Sequence, residues 1–209
     1  LEEDGKLYAF GPRLSPFGLV TKRISEDVSL GTQLIVPVHV DNVVDVRIGA
    51  TTISFLTEDG KVYTSGTNQD GSQLGRASDD KTPQNIGLKD ITALRTGQQH
   101  TGALDANGLL WIWGRTSNNM GARSTNLNTP KKFTSDEAIV DFDFSNNSLI
   151  VLHENGLVSA TKVYDLSVNK KFSLVSKSQC SDYDRVFCSG LQVCCLATRA
   201  NPRYPIRLL

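Results

Sequence analysis

The sequence has no excess of either charge and no long apolar run. Its 209 residues carry 22 Lys and Arg against 22 Asp and Glu, so the formal net charge at pH 7 is zero. Because nucleic-acid affinity rests largely on neutralising phosphates, this balance gives no global electrostatic reason to bind DNA or RNA. No apolar stretch approaches the roughly 18 residues that cross a bilayer, so no membrane span is expected. These absences favour an ordinary globular chain, which we expect to be intracellular, cytoplasmic or nuclear, with organelle targeting left open.

The sequence motifs of common enzyme classes are also absent. It has no nucleophile elbow, no HExxH zinc motif, no P-loop and no GxGxxG turn between a strand and a helix. Acidic pairs such as Asp79 and Asp80 fall in expected loops, where solvated charges are far commoner than catalytic pairs. His39 and His153 are isolated. We therefore expect no catalytic residue, no cofactor and no metal site.

The sequence does contain one pattern that recurs every 48 residues. The pairs Asp59-Gly60, Asn107-Gly108 and Asn155-Gly156 each follow an apolar run that ends on leucine. A fixed period of about 40 to 50 residues marks a supersecondary unit that buries its apolar face against neighbouring copies. A second apolar run follows each pair. Two short apolar runs joined by Asp-Gly or Asn-Gly predict a β-hairpin with a type I′ turn.

A further β-like stretch precedes each hairpin, at 43–48, 91–95 and 139–144. Its apolar and polar residues alternate over part of its length, as in half-buried strands. With a segment after each Gly-containing turn, every unit supplies about four strands, which is one propeller blade. The sequence predicts an all-β repeat domain over 1–209, with a partial repeat at 1–42, repeats at about 43–90, 91–138 and 139–182, and a degenerate partial repeat at 183–209.

Four cysteines fall within sixteen residues near the end of the sequence: Cys180, Cys188, Cys194 and Cys195. Their spacing lacks the two paired CxxC units of a zinc site. The last two align with positions inside the first strand of the hairpin, so one of them is expected to face the core as a small buried thiol. A disulfide between the first two is the alternative, and it needs an oxidising compartment.

The repeats resemble those of a known family. Residues 49–75 and 97–121 are similar to the repeat of the regulator of chromosome condensation family, the RCC1-like β-propellers, which runs roughly G-x-x-H-T/S-x-A-L-x-x-D-G-x-V-Y-x-W-G-x-N-x-x-G-Q-L-G. Residues 1–18 resemble half a repeat and 145–156 a decayed one, with Lys162 where the family has glycine. His100 stands at the family's histidine, where we expect a side-chain hydrogen bond near a propeller turn.

The resemblance implies a β-propeller built from RCC1-type four-stranded blades. Propellers of the family normally close with seven blades, which needs far more than 209 residues. We therefore expect an incomplete ring or a segment of a seven-bladed propeller. The alternative is a small closed ring of four or five blades, in which the half-repeats at the two ends pair.

Two functional classes follow from this fold. The first is a non-catalytic scaffold or adaptor that presents a propeller surface to a protein partner. The second, implied only by the resemblance, is guanine-nucleotide exchange on a Ran-like small GTPase, which acts by distorting the nucleotide site and needs no catalytic motif. A fold does not by itself decide function. The expected partner is a protein, either a small GTPase or a larger assembly.

One segment breaks the period and is a candidate contact site. The pairs Asp4-Gly5 and Asp59-Gly60 lie 55 rather than 48 residues apart, because of an insertion between positions 18 and 43. Insertions in repeat proteins map to loops on one face, often the binding face. A longer loop without a function is the alternative. The predicted partner-contact residues are Lys22, Arg23, Leu34, Ile35 and Val36.

Overall fold

The computed structural model describes residues 7–10, 35–68, 73–78, 80–97, 99–115, 127–133, 135, 137–144, 148–162, 173–176, 185–189 and 192–196. All regular secondary structure in these ranges is β-strand, which confirms the predicted fold class. The strands are, in chain order, β1 (Leu7–Phe10), β2 (Ile35–Val38), β3 (Val43–Ile48), β4 (Thr52–Thr57), β5 (Val62–Gly66), β6 (Gln84–Asn85), β7 (Ile91–Thr96), β8 (His100–Asp105), β9 (Leu110–Gly114), β10 (Leu127–Phe133), β11 (Ile139–Phe144), β12 (Ser148–His153), β13 (Val158–Lys162), β14 (Ser173–Ser176), β15 (Arg185–Ser189) and β16 (Gln192–Leu196).

The strands form antiparallel sheets whose spatial order follows the chain. Blade 1 consists of β3 to β6, blade 2 of β7 to β10 and blade 3 of β11 to β14. The first hairpin (β1 and β2) and the last hairpin (β15 and β16) are separate two-stranded sheets. This arrangement is that of an incomplete ring of propeller blades. The repeat boundaries given above stay a prediction.

The first two strands of each blade share one irregularity. Their register shifts between Val43 and Asp45 in blade 1, between Ile91 and Ala93 in blade 2, and between Ile139 and Asp141 in blade 3. A bulge of this kind bends a strand and re-aims its side chains. In all three blades it lies near the start of the first strand, so it contributes to where the charged side chains of those strands point.

The hairpin loops differ from the predicted turn type. A type I′ turn needs a positive φ at both central residues. Only the glycines of the three loops have one, with φ of 73° at Gly60, 73° at Gly108 and 79° at Gly156. In blade 1 the N–H of Gly60 donates to the carbonyl of Thr57 at 2.9 Å, and the N–H of Thr57 to that of Lys61 at 3.0 Å. The loop is a three-residue turn of type I closed by a left-handed glycine, so the type I′ prediction is wrong.

Apolar side chains form a separate core at each junction between neighbouring sheets. The middle strands β4 and β8 are buried at all six positions, because another sheet covers each of their faces. Burying one large apolar side chain contributes about 1.5 to 3 kcal/mol, so each junction stabilises the stack. One buried member of each core is, in chain order, Phe55, Trp113, Phe142 and Leu152.

A glycine allows blades 2 and 3 to approach closely. A Cβ atom on Gly102 of β8 would lie 2.6 Å from the Phe142 ring and 3.0 Å from the Phe144 ring. The two rings themselves stack edge to face, with centroids 5.8 Å apart. No larger residue fits at position 102 unless both aromatic rings move.

Candidate binding site in the axial cavity

The first strands of successive sheets lie side by side. β3 contacts β7, β7 contacts β11, and β11 contacts β15. In a propeller the strands that meet in this way surround the central axis. A cavity of about 630 Å³ opens among them. We call it the axial cavity, and its charged lining residues are Arg47, Arg95, Asp141, Asp143 and Arg185.

Arg47 connects blade 1 to blade 2. Its Nε donates to the backbone carbonyl of Leu94 at 3.0 Å and to Oδ2 of Asp45 at 3.1 Å. Its Nη2 forms an ion pair with the same carboxylate oxygen at 3.0 Å, and the Arg47 side chain is 40% exposed. One edge of this guanidinium is therefore fixed, while the rest faces solvent in the cavity.

Asp141 joins blade 2, blade 3 and the last hairpin. Its Oδ1 accepts a hydrogen bond from Nη2 of Arg95 at 2.9 Å, and its Oδ2 accepts one from the N–H of Val186 at 2.9 Å. The Asp141 side chain is only 6% exposed. Burial raises the pKa of Asp141, and the Val186 hydrogen bond and the Arg95 charge offset part of that effect. The carboxylate is an internal counterion that uses both oxygens within the fold.

Three large apolar side chains lie exposed on the strands that surround this cavity. Val44 is 58%, Ile48 67% and Val140 40% exposed. Val44 and Val140 occupy the same position in blades 1 and 3, and Val140 also lines the cavity. Exposed apolar groups beside fixed charges are typical of a surface that contacts another protein.

The structure places the sequence-predicted contact residues in two groups. Ile35 and Val36 lie in β2, where their Cα partners are Phe10 and Ala9 of β1. They belong to the sheet of the first hairpin rather than to a loop. Lys22, Arg23 and Leu34 lie outside the described residues.

Sequence reasoning missed the axial cavity, although one signal of it was present. Arg47 and Arg95 are 48 residues apart, which is the repeat period, and each lies in the β-like stretch ahead of a hairpin. Charged residues that recur at the repeat period inside a strand indicate that the equivalent strands of neighbouring blades line the same surface. The hydrogen bonds between Arg95, Asp141 and Val186 carry no such signal, because they depend on how neighbouring blades pack.

His100 is buried and does not make the expected hydrogen bond through Nε2. Among the described residues that atom has no hydrogen-bond partner. The ring instead packs edge-on against Phe144, with centroids 4.5 Å apart. Burial lowers the pKa of His100 to about 4, so the imidazole is neutral at pH 7. This histidine fills a core position.

His153 and Ser159 form a pair that looks reactive but is buried between two strands. Nε2 of His153 lies 3.0 Å from the Ser159 hydroxyl, and Nδ1 lies 3.4 Å from the Ser135 hydroxyl. His153 and Ser159 are 5% and 7% exposed, so substrate has no access to them. The residues equivalent to His153 are Thr57 and Asp105, which hydrogen-bond the loops of their own hairpins. His153 contacts Ser159 in β13 instead, which is the residue equivalent to the Trp111 that Asp105 contacts.

No group of three or more His, Cys, Asp and Glu within the described ranges is placed to hold a metal ion. Within the same ranges, no helix has the length and apolarity to cross a membrane.

Comparisons with known proteins agree with this fold. A family model described as the regulator of chromosome condensation (RCC1) repeat matches residues 59–104. A search of curated proteins gave no match. Human WBSCR16 is similar in structure, with a TM-score of 0.62 and 20% identity over 77% of this chain and 43% of its own.

Two yeast structures are similar to the same extent. Prp20p from Saccharomyces cerevisiae, described together with its binding to Gsp1p and histones, has a TM-score of 0.63 and 18% identity over 89% of this chain and 49% of its own. Yeast RCC1 (Prp20) bound to Kap60 has a TM-score of 0.65 and 19% identity over 92% of this chain and 50% of its own. The chain spans about half the length of these relatives or slightly less. It carries a repeat of the regulator of chromosome condensation type, and its blades are those of the RCC1-like β-propellers.

Proposed function

We propose that this chain is a non-catalytic scaffold or adaptor that presents its propeller surface, and the axial cavity in particular, to a protein partner. The observation that carries this proposal is the way the charged lining is held. Arg47, Arg95 and Asp141 are fixed by hydrogen bonds that cross from one sheet to the next. Groups held in this way are preorganised for contact, which lowers the entropic cost of binding.

Site-specific photo-crosslinking tests this function. A photoreactive amino acid is placed at Val140, which lines the cavity, or at Val44, which has the same position in blade 1, and in a control at Lys132 on the outer strand β10. We expect a protein partner to be captured from the cavity positions and not from the outer one. The captured protein is then purified and its affinity measured directly. The proposal is contradicted if nothing crosslinks at the cavity, or if the purified protein fails to bind.

The predicted contact element forms a second part of this proposal. The element lies in the insertion that breaks the repeat period, and its predicted contact residues are Lys22, Arg23, Leu34, Ile35 and Val36. The test is to delete residues 22–34 and to measure how much of the partner the shortened chain retains relative to the intact chain. Unchanged binding would dismiss the element while leaving the axial cavity as the contact surface.

Guanine-nucleotide exchange on a Ran-like small GTPase is the second candidate function. It is supported by the structural similarity to Prp20p, which has been described with its binding to Gsp1p. The test is release of fluorescent GDP from a panel of small GTPases with and without the chain. Acceleration would favour exchange over the scaffold, and no acceleration from any of them removes this candidate. An intracellular location, cytoplasmic or nuclear, belongs to both candidates, and imaging of the tagged protein tests it.

A further inference from the structure

The axial cavity contains hydrogen-bond donors that the fold does not use. Within the part of the chain that the structure describes, Nη1 of Arg47 has no partner, since its bonds run through Nε and Nη2. The exposed guanidinium of Arg185 has no hydrogen bond in the same part of the chain. A guanidinium offers five N–H donors in a planar fork, so both side chains retain binding capacity.

The two carboxylates that line the cavity are, in contrast, already engaged within the fold. Both oxygens of Asp141 accept hydrogen bonds, one from Arg95 and one from the N–H of Val186. Oδ1 of Asp143 accepts one from the N–H of Phe144 at 2.9 Å, and Asp143 makes a further interaction. Charges of both signs are present, and in the described part of the chain the side-chain donors of Arg47 and Arg185 are the charged groups with hydrogen-bonding capacity left.

We infer that the axial cavity binds a carboxylate of the partner through Arg47 and Arg185. This inference rests on the proposed scaffold function and names the chemistry of its contact. A carboxylate matches the planar guanidinium fork with two parallel hydrogen bonds, which a neutral amide cannot provide. The arginines of β3 and β15 line one cavity, so an acidic segment inside it faces guanidinium groups from two sheets.

The size and edges of the cavity indicate what carries the carboxylate. Its volume of about 630 Å³ is far larger than one acidic side chain and falls within the range of sites that enclose a short peptide segment or a small ligand. Val44 and Val140 present apolar surface on the same set of strands. The ligand is therefore an acidic peptide segment in which an apolar residue lies close to a Glu or Asp.

The experiment uses two fluorescent hexapeptides and the intact chain. One peptide holds two Glu between two Leu, and the other has Gln in place of each Glu. Fluorescence anisotropy measures binding to the wild type, to the double variant Arg47→Gln and Arg185→Gln, and to the double variant Lys89→Gln and Lys132→Gln. The last is a matched control, because it also removes two positive charges but at exposed positions outside the cavity.

We expect the Glu peptide to bind and the Gln peptide to bind at least about tenfold more weakly, since hydrogen bonds to charged groups are the stronger ones. The affinity of the arginine double variant for the Glu peptide should fall by the same factor. The affinity of the lysine control should stay within about twofold of the wild type. Arg185→Gln alone gives the same test if the double variant does not fold, because Arg185 makes no hydrogen bond in the described structure. Equal binding of the two peptides, or equal loss in the lysine control, overturns the inference.

A competition arm identifies the source of the oxyanion. Acetate should displace the Glu peptide at least as well as inorganic phosphate at equal ionic strength. Displacement by phosphate alone would overturn the carboxylate assignment. The outcome is separable from that of the scaffold test. If a crosslinked partner binds independently of both arginines, the carboxylate site is refuted and the scaffold function stands. If the Glu peptide binds and no protein crosslinks, the carboxylate site stands and the scaffold function is refuted.

Discussion

At the scale of the residue, one position in each blade performs the same task with different chemistry. Thr57, Asp105 and His153 each end the second strand of a blade, and the side chain of each makes a hydrogen bond within its own hairpin. Asp105 does so through three bonds, from the N–H groups of Asn107 and Leu109 and from Nε1 of Trp111. The Thr57 hydroxyl donates, the Asp105 carboxylate accepts and an imidazole can do either, so each residue type selects different partners in its own hairpin.

His100 makes stability depend on pH. Burial lowers its pKa from 6.5 to about 4 in the folded protein. Between these values the unfolded chain binds the proton and the folded chain does not, so stability is present above pH 6.5 and is lost as pH falls toward 4. We expect the His100 contribution to decrease by about 2 kcal/mol from pH 7 to pH 5. Urea unfolding of wild type and His100→Gln at both pH values measures it.

The control for this prediction is His39→Gln, because His39 is exposed. His153 is also buried, and burial lowers its pKa, so the wild type should lose stability through both histidines. The difference between wild type and His100→Gln isolates one of them. If His100→Gln loses as much stability as the wild type between pH 7 and pH 5, the prediction is contradicted, because His100 would then be protonated in the folded protein.

At the scale of the element, the hairpin loops require different backbone conformations of the two residues in each Asp-Gly or Asn-Gly pair. Gly108 has a φ of 73°, whereas Asn107 is not among the residues with a positive φ. A Cβ on Gly108 would also lie 3.1 Å from the carbonyl oxygen of Ile139. We expect Gly108→Ala to cost about 1 to 2 kcal/mol and Asn107→Ala to stay within about 0.5 kcal/mol. Urea denaturation of the two variants decides it, and equal costs would favour a type I′ turn.

The hairpins were predictable from the sequence, but their turn type was not. Asp59-Gly60 and Asn107-Gly108 fit either a type I′ turn or a type I turn closed by a left-handed glycine. The loop bonds instead follow from the residue before them, since Thr57 and Asp105 contact the loop through their side chains. Local propensity leaves this alternative open. The bonds that close the loop settle it.

The contacts between blades could not be predicted from the sequence. Arg95 and Asp141 lie 46 residues apart, and which of many charged side chains meet depends on the bulge and packing of the first strands. A period of 48 residues predicts that strands recur, not how they face one another. The glycine at position 102 illustrates the same limit, because its role exists only through Phe142 and Phe144 of the next blade.

At the scale of the whole molecule, the sheets form a stack that follows the incomplete ring, with one core at each junction. The core between the first hairpin and blade 1 contains Phe55, and the core between blades 2 and 3 contains Phe142. In such a stack stability is approximately a sum over units and nearest-neighbour junctions. A defect in one junction should therefore weaken the adjoining sheets more than the distant ones.

This expectation is testable with two matched cavities. Phe55 and Phe142 are 1% and 0% exposed, so each Phe→Ala change should cost about 3 to 5 kcal/mol. Hydrogen exchange followed by mass spectrometry should show that Phe142→Ala lowers protection most in β8 and β11, and Phe55→Ala most in β2 and β4. Each variant is the control for the other. Uniform loss along the chain in both would contradict the stack, because it would mean that all sheets open in one cooperative step.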